Sequence, residues 1–280
     1  MPGIHIVTDS SCDLTSDELD QLEVEIVPLS IRFGSEEFTD GLDLTVAEFY
    51  SRMAQTDELP QTSCPSPGAF QQAFMRASDA GADSVVCLNI SGHLSNTLQS
   101  AMSASSAVAG HIPVHVVDSK SVSSGLGTLV LEAAREARGA ADVGAVLERI
   151  WSLIPRTRVF AALNTLENLK KGGRIGGAKA MLASMLSIKP LVDISTGEVQ
   201  EAGKPRTRKK AMHMLYEQMI AAGSIERVAV MHGGAPDIDE FLDLIAPRFS
   251  RESLRVGHLG AIIGAHGGAE IIGASWIAAA

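Results

Sequence analysis

The sequence predicts an α/β protein of two domains. Residues 1–156 form an N-terminal parallel-sheet domain with helices on both faces, and residues 157–280 a C-terminal mixed α/β domain. Three observations lead there. Short apolar runs that end in a polar loop and pass into a helical pattern recur through the first half, the order that builds a parallel sheet. Helix-start signals stand where those loops end. A length of 280 residues leaves room for two modest cores.

Taken in order, Ile4 to Thr8 reads as a buried first strand, with Asp9-Ser10-Ser11-Cys12-Asp13 as a polar loop at its carboxyl end. A short helix follows from Thr15 to about Leu22. Val24 to Ile31, where Val24 and Ile26 alternate with glutamates, reads as the next strand, and Gly34 to Gly41 as an acidic connector. Thr45-x-x-Glu48 is a capping box that opens a helix carrying Val46, Phe49, Tyr50 and Met53.

Two hydroxyl-rich segments come next. In Thr62-Ser63-Cys64-Pro65-Ser66-Pro67-Gly68, Ser66 is a natural N-cap and Pro67 fits the first helical position, where a missing N–H costs nothing. Phe70, Ala73, Phe74 and Ala77 then recur at helical spacing. Ser91-Gly92-His93-Leu94-Ser95-Asn96-Thr97 repeats the arrangement between the apolar run Val85 to Ile90 and the helical pattern Leu98, Ala101, Met102, Ser105, Val108. Either segment alone reads equally well as ordinary capping. Together, at the carboxyl ends of parallel strands, they point to a ligand loop. Neither contains Lys or Arg, so the expected guest is an anion held by hydroxyls and backbone N–H groups without a formal counter-charge, which suits one carboxylate.

Val114 to Val117 is a further strand that runs into Asp118-Ser119, as the first strand runs into Asp9-Ser10. Helices from about Ser121 to Arg138 and from Asp142 to Ile154 close the first domain. Val159 to Leu163 reads as a strand, and Thr165 to Lys171 as a helix stopped by Gly172-Gly173. Ala178 to Ile188, with Met181, Leu182, Met185 and Leu186, is either the adaptable lining of a lipid pocket or plain core. Leu191 to Ile194 and Val199 to Ala202 form a hairpin across Ser195-Thr196-Gly197-Glu198. Lys204 to Lys210 is densely basic and begins a helix to about Ala222. Val228 to Met231 and Ser253 to Leu259 are strands around a helix from Asp237 to Ala246. Val256 to Ala280, whose sole charged residue is Glu270, reads as strand, loop, strand, with His266 in the glycine-flanked loop Ile263-Gly264-Ala265-His266-Gly267-Gly268.

Composition narrows the function. The chain is 45% apolar and 20% charged, with 4% aromatic residues and a net charge of −10, which argues against a nucleic-acid surface. Cys12, Cys64 and Cys87 suggest neither a disulfide framework nor a metal knuckle. The N-terminus lacks the basic start and long apolar core of a signal peptide, and a cytoplasmic protein without an integral membrane segment is expected. A phosphate-binding loop of the G-x-x-x-x-G-K-[ST] form, a G-x-S-x-G elbow and an H-E-x-x-H pair are all missing, so no nucleotide cradle, metal or cofactor is expected. Lys170, Lys171 and Arg174, with the run from Lys204 to Lys210, are either solvated faces or one docking surface for an acidic or phosphorylated partner.

Six ordered motifs resemble one family over nearly the whole chain. They are Thr8-Asp9-Ser10, Thr62-Ser63-x-Pro65-Ser66-Pro67-Gly68, Leu94-Ser95-x-Thr97-x-Gln99-Ser100-Ala101, Asp118-Ser119-Lys120, Leu169-Lys170-Lys171-Gly172-Gly173-Arg174-Ile175 and Ile263-Gly264-x-His266. The family is DegV. The resemblance implies a protein that binds one long-chain fatty acid between its two domains, without catalytic residues of its own. Thr62, Ser63, Ser95 and His266 would hold the carboxylate, with Ser91, Gly92, Asn96 and Thr97 as further loop residues. It also implies a partner: a separate ATP-binding fatty-acid kinase subunit that converts the presented carboxylate to an acyl phosphate. The basic clusters then gain an expected task, Arg174, Arg206 and Arg208 docking that subunit or balancing phosphate charge during transfer. Cys64, Asn96, Leu98 and Gly267 depart from the family pattern. Two other readings compete: a stand-alone crevice enzyme using Asp9, Asp118 and His266, and a small-molecule sensor.

Overall fold

The computed structural model describes residues 3–56, 58–139 and 142–279. Its first half runs β1 (Gly3–Asp9), α1 (Ser16–Leu22), β2 (Val24–Val27), β3 (Ser30–Phe33), β4 (Glu36–Thr39), α2 (Val46–Ala54), β5 (Gln61–Ser63), α3 (Pro67–Asp79), β6 (Ala82–Asn89), α4 (Thr97–Val108), β7 (Val114–Asp118), α5 (Ser124–Gly139) and α6 (Val143–Leu153). The second half runs β8 (Thr157–Ala162), α7 (Glu167–Lys171), β9 (Leu191–Asp193), β10 (Gln200–Gly203), α8 (Arg208–Ala221), β11 (Ile225–His232), α9 (Ile238–Ile245), β12 (Arg255–His258), α10 (Ala261–Gly267) and β13 (Ile272–Ala278).

These strands make a parallel four-stranded sheet, order β2-β1-β6-β7, a mixed six-stranded sheet, order β10-β9-β8-β13-β11-β12, and a small antiparallel sheet, order β4-β3-β5. Alternation along β1 shows why helices cover both faces of the first. Ile6 points into a core shared with α5 and α6, and Val7 into one with Phe70 and Phe74 of α3 and Ala101 and Ala104 of α4. The mixed sheet is likewise two-faced. Phe160 and Trp276 pack under α8 and α9, while Val159, Ala161 and Ile277 face back toward α5.

Helix α5 therefore lies between the two large sheets, and every residue from Ser124 to Ala134 is buried. Close approach is possible because of Gly125, where a Cβ would collide with Ser121 Oγ and Val159 Cγ2.

Local signals behaved as capping chemistry predicts. Thr45 and Glu48 form a reciprocal capping box at α2, and Ser66 Oγ accepts the Ala69 N–H with Pro67 in the first turn of α3. Three readings need correction. The single strand expected over Val24 to Ile31 is two strands in different sheets, because Pro28 has no N–H to donate to a ladder. The acidic connector contains β4, which pairs back on β3 around a turn at Gly34-Ser35. The stretch after Val256 is strand, helix, strand: His266 sits in the last turn of α10, not in a loop.

Candidate functional site

Thr62 is the central residue of a three-residue strand, β5, and pairs with Ile31. Side chains alternate along a strand, so Thr62 turns inward while Gln61 and Ser63 are exposed. The first hydroxyl segment thus begins as a strand edge and not as a loop. Thr62 Oγ1 meets His266 Nε2 at 2.9 Å. Helix α10, which carries that histidine, is short, and its placement depends on contacts from other elements. At its start the Gly260 N–H donates to Asp13 Oδ1 at 3.0 Å and the Tyr50 hydroxyl to Leu259 O at 3.2 Å; near its end Asn168 Nδ2 donates to Ala265 O at 3.2 Å.

In the second hydroxyl segment, the Ser95 N–H donates to Ser91 O, and Ser95 Oγ accepts the Thr97 N–H at 3.2 Å and lies 2.8 Å from Thr97 Oγ1. Ser95 therefore does the capping of α4, and the Asn96 side chain makes no cap bond and is exposed. Ser91 Oγ donates to Gly197 O at 2.7 Å, and the Gly92 N–H to Asp118 Oδ1 at 3.3 Å. Ser91, Gly92 and Thr97 shape the loop, and Ser95 faces inward from it.

Thr62, Ser95 and His266 line one cavity of about 900 Å³, counting its open mouth, where α10, the strands of the mixed sheet, the start of α5 and the loop after β6 meet. Its body is apolar: Leu29, Ile90 and Leu94 on one side, Val159, Ala161, Val192 and Met231 from the mixed sheet, Ile262 and Ile263 from α10. Ser63, Ser91, Gly92, Asn96 and Thr97 are outside this lining.

Arg174 lines it too, which corrects the expectation of an anion site without a formal counter-charge. Its Nε donates to Leu94 O at 3.1 Å and its Nη1 to Gly172 O at 2.7 Å, so the guanidinium is fixed at the polar end, and Nη2 has no partner among the described residues. Burial, with the Arg174 charge adding to it, pushes the His266 imidazole down to about 4, and the ring is neutral at physiological pH. Its Nδ1 is buried without a partner among the described residues.

The other arginines divide. Arg208 is bidentate to Asp237, at 2.8 and 3.0 Å, and also donates to Ala162 O and Glu270 O, which makes it an internal buttress of the second half. Arg206 is exposed and has no ion pair among the described residues. The crevice-enzyme trio is not assembled in the cavity. Asp9 is fully buried and accepts from Ser11, Asn89 and the Ile90 N–H, Asp118 is occupied by the N–H groups of Gly92 and Lys120, and His266 alone of the three lines the cavity. In the methionine-rich segment, Ala178, Met181 and Ile188 are buried core and Leu186 is exposed; the Met185 side chain lies outside the described residues.

Sequence reasoning missed Ser123, Ser124 and Asp13. The two serines line the cavity from the start of α5, and Asp13 accepts from Ser123 Oγ while holding α10. Ser123 and Asp13 both adopt left-handed backbone conformations, which no pattern of residue types announced. Among the described residues no cluster of three or more His, Cys, Asp or Glu could hold a metal ion, and no helix is long and apolar enough to cross a membrane.

A family model described as an uncharacterised protein of the DegV family matches residues 3–279. A DegV domain-containing protein from Halalkalibacterium halodurans is 32% identical over 280 residues, 99% of either chain. Among solved structures, a fatty-acid-binding DegV family protein from Thermus thermophilus superposes with a TM-score of 0.90 at 33% identity, covering 99% of this chain and 100% of its own. DegV from Bacillus subtilis, described as a fatty acid binding protein, gives 0.88 at 25% identity with full coverage of both chains. A stearic acid-binding protein from Eubacterium ventriosum gives 0.88 at 27% identity, covering 98% of each.

Proposed function

The chain belongs to the DegV family, and from that premise we propose that it binds one long-chain fatty acid and presents the carboxylate to a separate ATP-dependent kinase subunit. One observation carries the reading: a single cavity has an apolar body and, at one end, a cluster of Thr62, Ser95, Arg174 and His266. Binding of fatty acids by relatives from Thermus thermophilus, Bacillus subtilis and Eubacterium ventriosum supports the ligand class.

The polar end suits a carboxylate. A neutral His266 with its proton on Nε2 donates to Thr62 Oγ1 and leaves the Thr62 O–H free to donate to the ligand. The opposite tautomer would strand a buried N–H on Nδ1, so the hydrogen-bond network favours the first. Ser95 supplies a second hydroxyl and Arg174 Nη2 the charge. Ser63, one residue along β5, is left to the rim. The kinase partner, with ATP as phosphoryl donor and an acyl phosphate as product, belongs to the same proposal; Arg174 at the cavity and exposed Arg206 are assigned to docking or to charge balance, and Arg208 to holding their surroundings. A cytoplasmic location is part of this reading.

The test is native mass spectrometry of the purified protein, followed by denaturing extraction and identification of what is released. One fatty acid per chain is the expected result. A chain that is empty and does not take up added stearic acid would remove the lipid function.

A further inference from the structure

The cavity's polar groups fall into two sets. One is the cluster around His266; the other is Ser123 and Ser124 at the start of α5. The register of the mixed sheet separates them. Ile271 lies against Gly267, beside the first set, and β13 then runs past Gly273, level with Ala161 and Met231, to Ser275, level with Val159. From residue 271 to residue 275 a strand advances about 13 Å. At the Ser275 level Gly125 brings α5 directly onto Val159, so the cavity does not pass between them, and Ser275 itself stands behind the lining.

At this closed end Ser124 Oγ and Ser275 Oγ are 2.8 Å apart, both buried. One hydroxyl donates to the other, and the acceptor's own O–H then has no acceptor among the described residues. Ser123 Oγ donates to Asp13 Oδ2 and so turns only lone pairs toward the cavity. A floor built for a methyl terminus would carry no such groups, since buried hydroxyls left half-bonded cost stability.

We propose that this closed end reads a hydroxyl: the preferred ligand is a long-chain fatty acid hydroxylated far along its chain from the carboxylate. With Ser275 donating to Ser124, the ligand's hydroxyl accepts the spare Ser124 O–H and donates to Ser123 Oγ. The inference rests on the fatty-acid reading and names the subclass of acid.

Lipid-stripped full-length protein is offered stearic acid together with hydroxystearic acids whose hydroxyl is moved stepwise from mid-chain to the methyl end, and occupancy is read by competition in native mass spectrometry. One positional isomer is expected to outcompete stearic acid by about threefold to tenfold, the yield of one net hydrogen bond. The double variant Ser124→Ala, Ser275→Ala is expected to lose that preference, read as the ratio of hydroxystearic to stearic acid bound by the same variant. If the double variant does not fold, Ser124→Ala, which removes the hydroxyl that lines the cavity, is expected to lose the preference, and Ser275→Ala, which leaves the Ser124 O–H to donate, to keep it. Stearic acid held at least as well as every hydroxylated isomer overturns the subsite and leaves the lipid function standing, as does a preference that survives loss of both serines. No uptake of any of these acids overturns both.

Discussion

Thr62 and His266 lie 204 positions apart in the chain and share one hydrogen bond, 2.9 Å from Oγ1 to Nε2. The bond joins a three-residue edge strand to the last turn of a seven-residue helix, two elements too short to hold their own positions. Each is fixed from elsewhere: β5 by its ladder to β3, α10 by Asp13, Tyr50 and Asn168. The polar end of the cavity is therefore a tertiary construction, and its hydroxyls are aimed before any ligand arrives.

Removing those hydroxyls tests the head-group assignment. Thr62→Val keeps the shape of the side chain and deletes the O–H, and Ser95→Ala deletes the other. Each is expected to weaken stearic acid binding by about tenfold to a hundredfold, the worth of a charge-assisted hydrogen bond. Titration calorimetry on lipid-stripped protein reads the change. Unaltered affinity in the double variant would place the carboxylate elsewhere.

Two glycines behave oppositely, and the contrast checks where the acyl chain lies. A Cβ on Gly273 would meet only ordinary contacts, the nearest being Phe160 O at 3.5 Å, whereas one on Gly125 would collide with Val159. Gly273→Val is expected to melt close to the parent and to lose stearic acid occupancy, because its side chain enters the cavity. Gly125→Ala is expected to cost about 1–3 kcal/mol in denaturant unfolding, the usual penalty of overpacking. Full lipid occupancy in well-folded Gly273→Val would move the chain off β13.

How much of this was legible follows from what is local. Ser66, Pro67, Thr45 and Glu48 announced helix starts because capping acts within four residues. The parallel sheet and its helices were legible through apolar runs and their punctuation. Pro28 stands in plain view, yet the alternation of Val24 and Ile26 outweighs it, and the sequence reads as one strand where two sheets divide. His266 reads as a loop residue because its glycine neighbours suggest turns, while Ile262, Ala265 and the contacts to Phe49 stabilise a helix there through tertiary packing. Ser91 and Ser95 look alike in sequence; only the fold turns one toward Gly197 O and the other toward the cavity. Grouping Thr62, Ser95 and His266 came from family resemblance, since no spacing rule joins residues so far apart. Arg174 read as surface charge because nothing local shows that Leu94 O and Gly172 O hold it inward.

Arg174 is expected to matter to lipid retention as well as to turnover. With a fatty-acid kinase subunit and ATP, Arg174→Glu should lower acyl phosphate formation at least about tenfold, a loss of some 1.4 kcal/mol of transition-state stabilisation. Native mass spectrometry of the same variant should show reduced fatty acid occupancy, because a second carboxylate then faces the ligand's at the polar end of the cavity. Arg208→Met should act on the fold, costing about 2 kcal/mol as Asp237 loses a bidentate partner. Acyl phosphate formed at the parental rate by Arg174→Glu would remove the residue from the transfer step.

The pH dependence of stability should trace Asp13, the residue that holds the start of α10. Burial pushes its carboxyl up to about 7, with Asp40 adding to the effect, and Asp40 itself is pushed up to about 6. A raised carboxyl binds more protons folded than unfolded, so its contribution is complete below the ordinary value near 3.8 and is lost as pH rises through 7. His266 works the other way. Its lowered value means the unfolded chain binds more protons between about 4 and 6.5, so its contribution is present above 6.5 and lost on acidification. Below 6.5 the two effects oppose each other; above it the His266 contribution is complete and Asp13 still titrates. Unfolding by urea at pH 6 and pH 8 should therefore show a loss of about 1 kcal/mol on going to the higher pH. Asp13→Asn keeps an acceptor for the Gly260 N–H and cannot ionise, so most of that loss should vanish. An equal loss in the variant would assign the slope to another group and leave α10 insensitive to pH in this range.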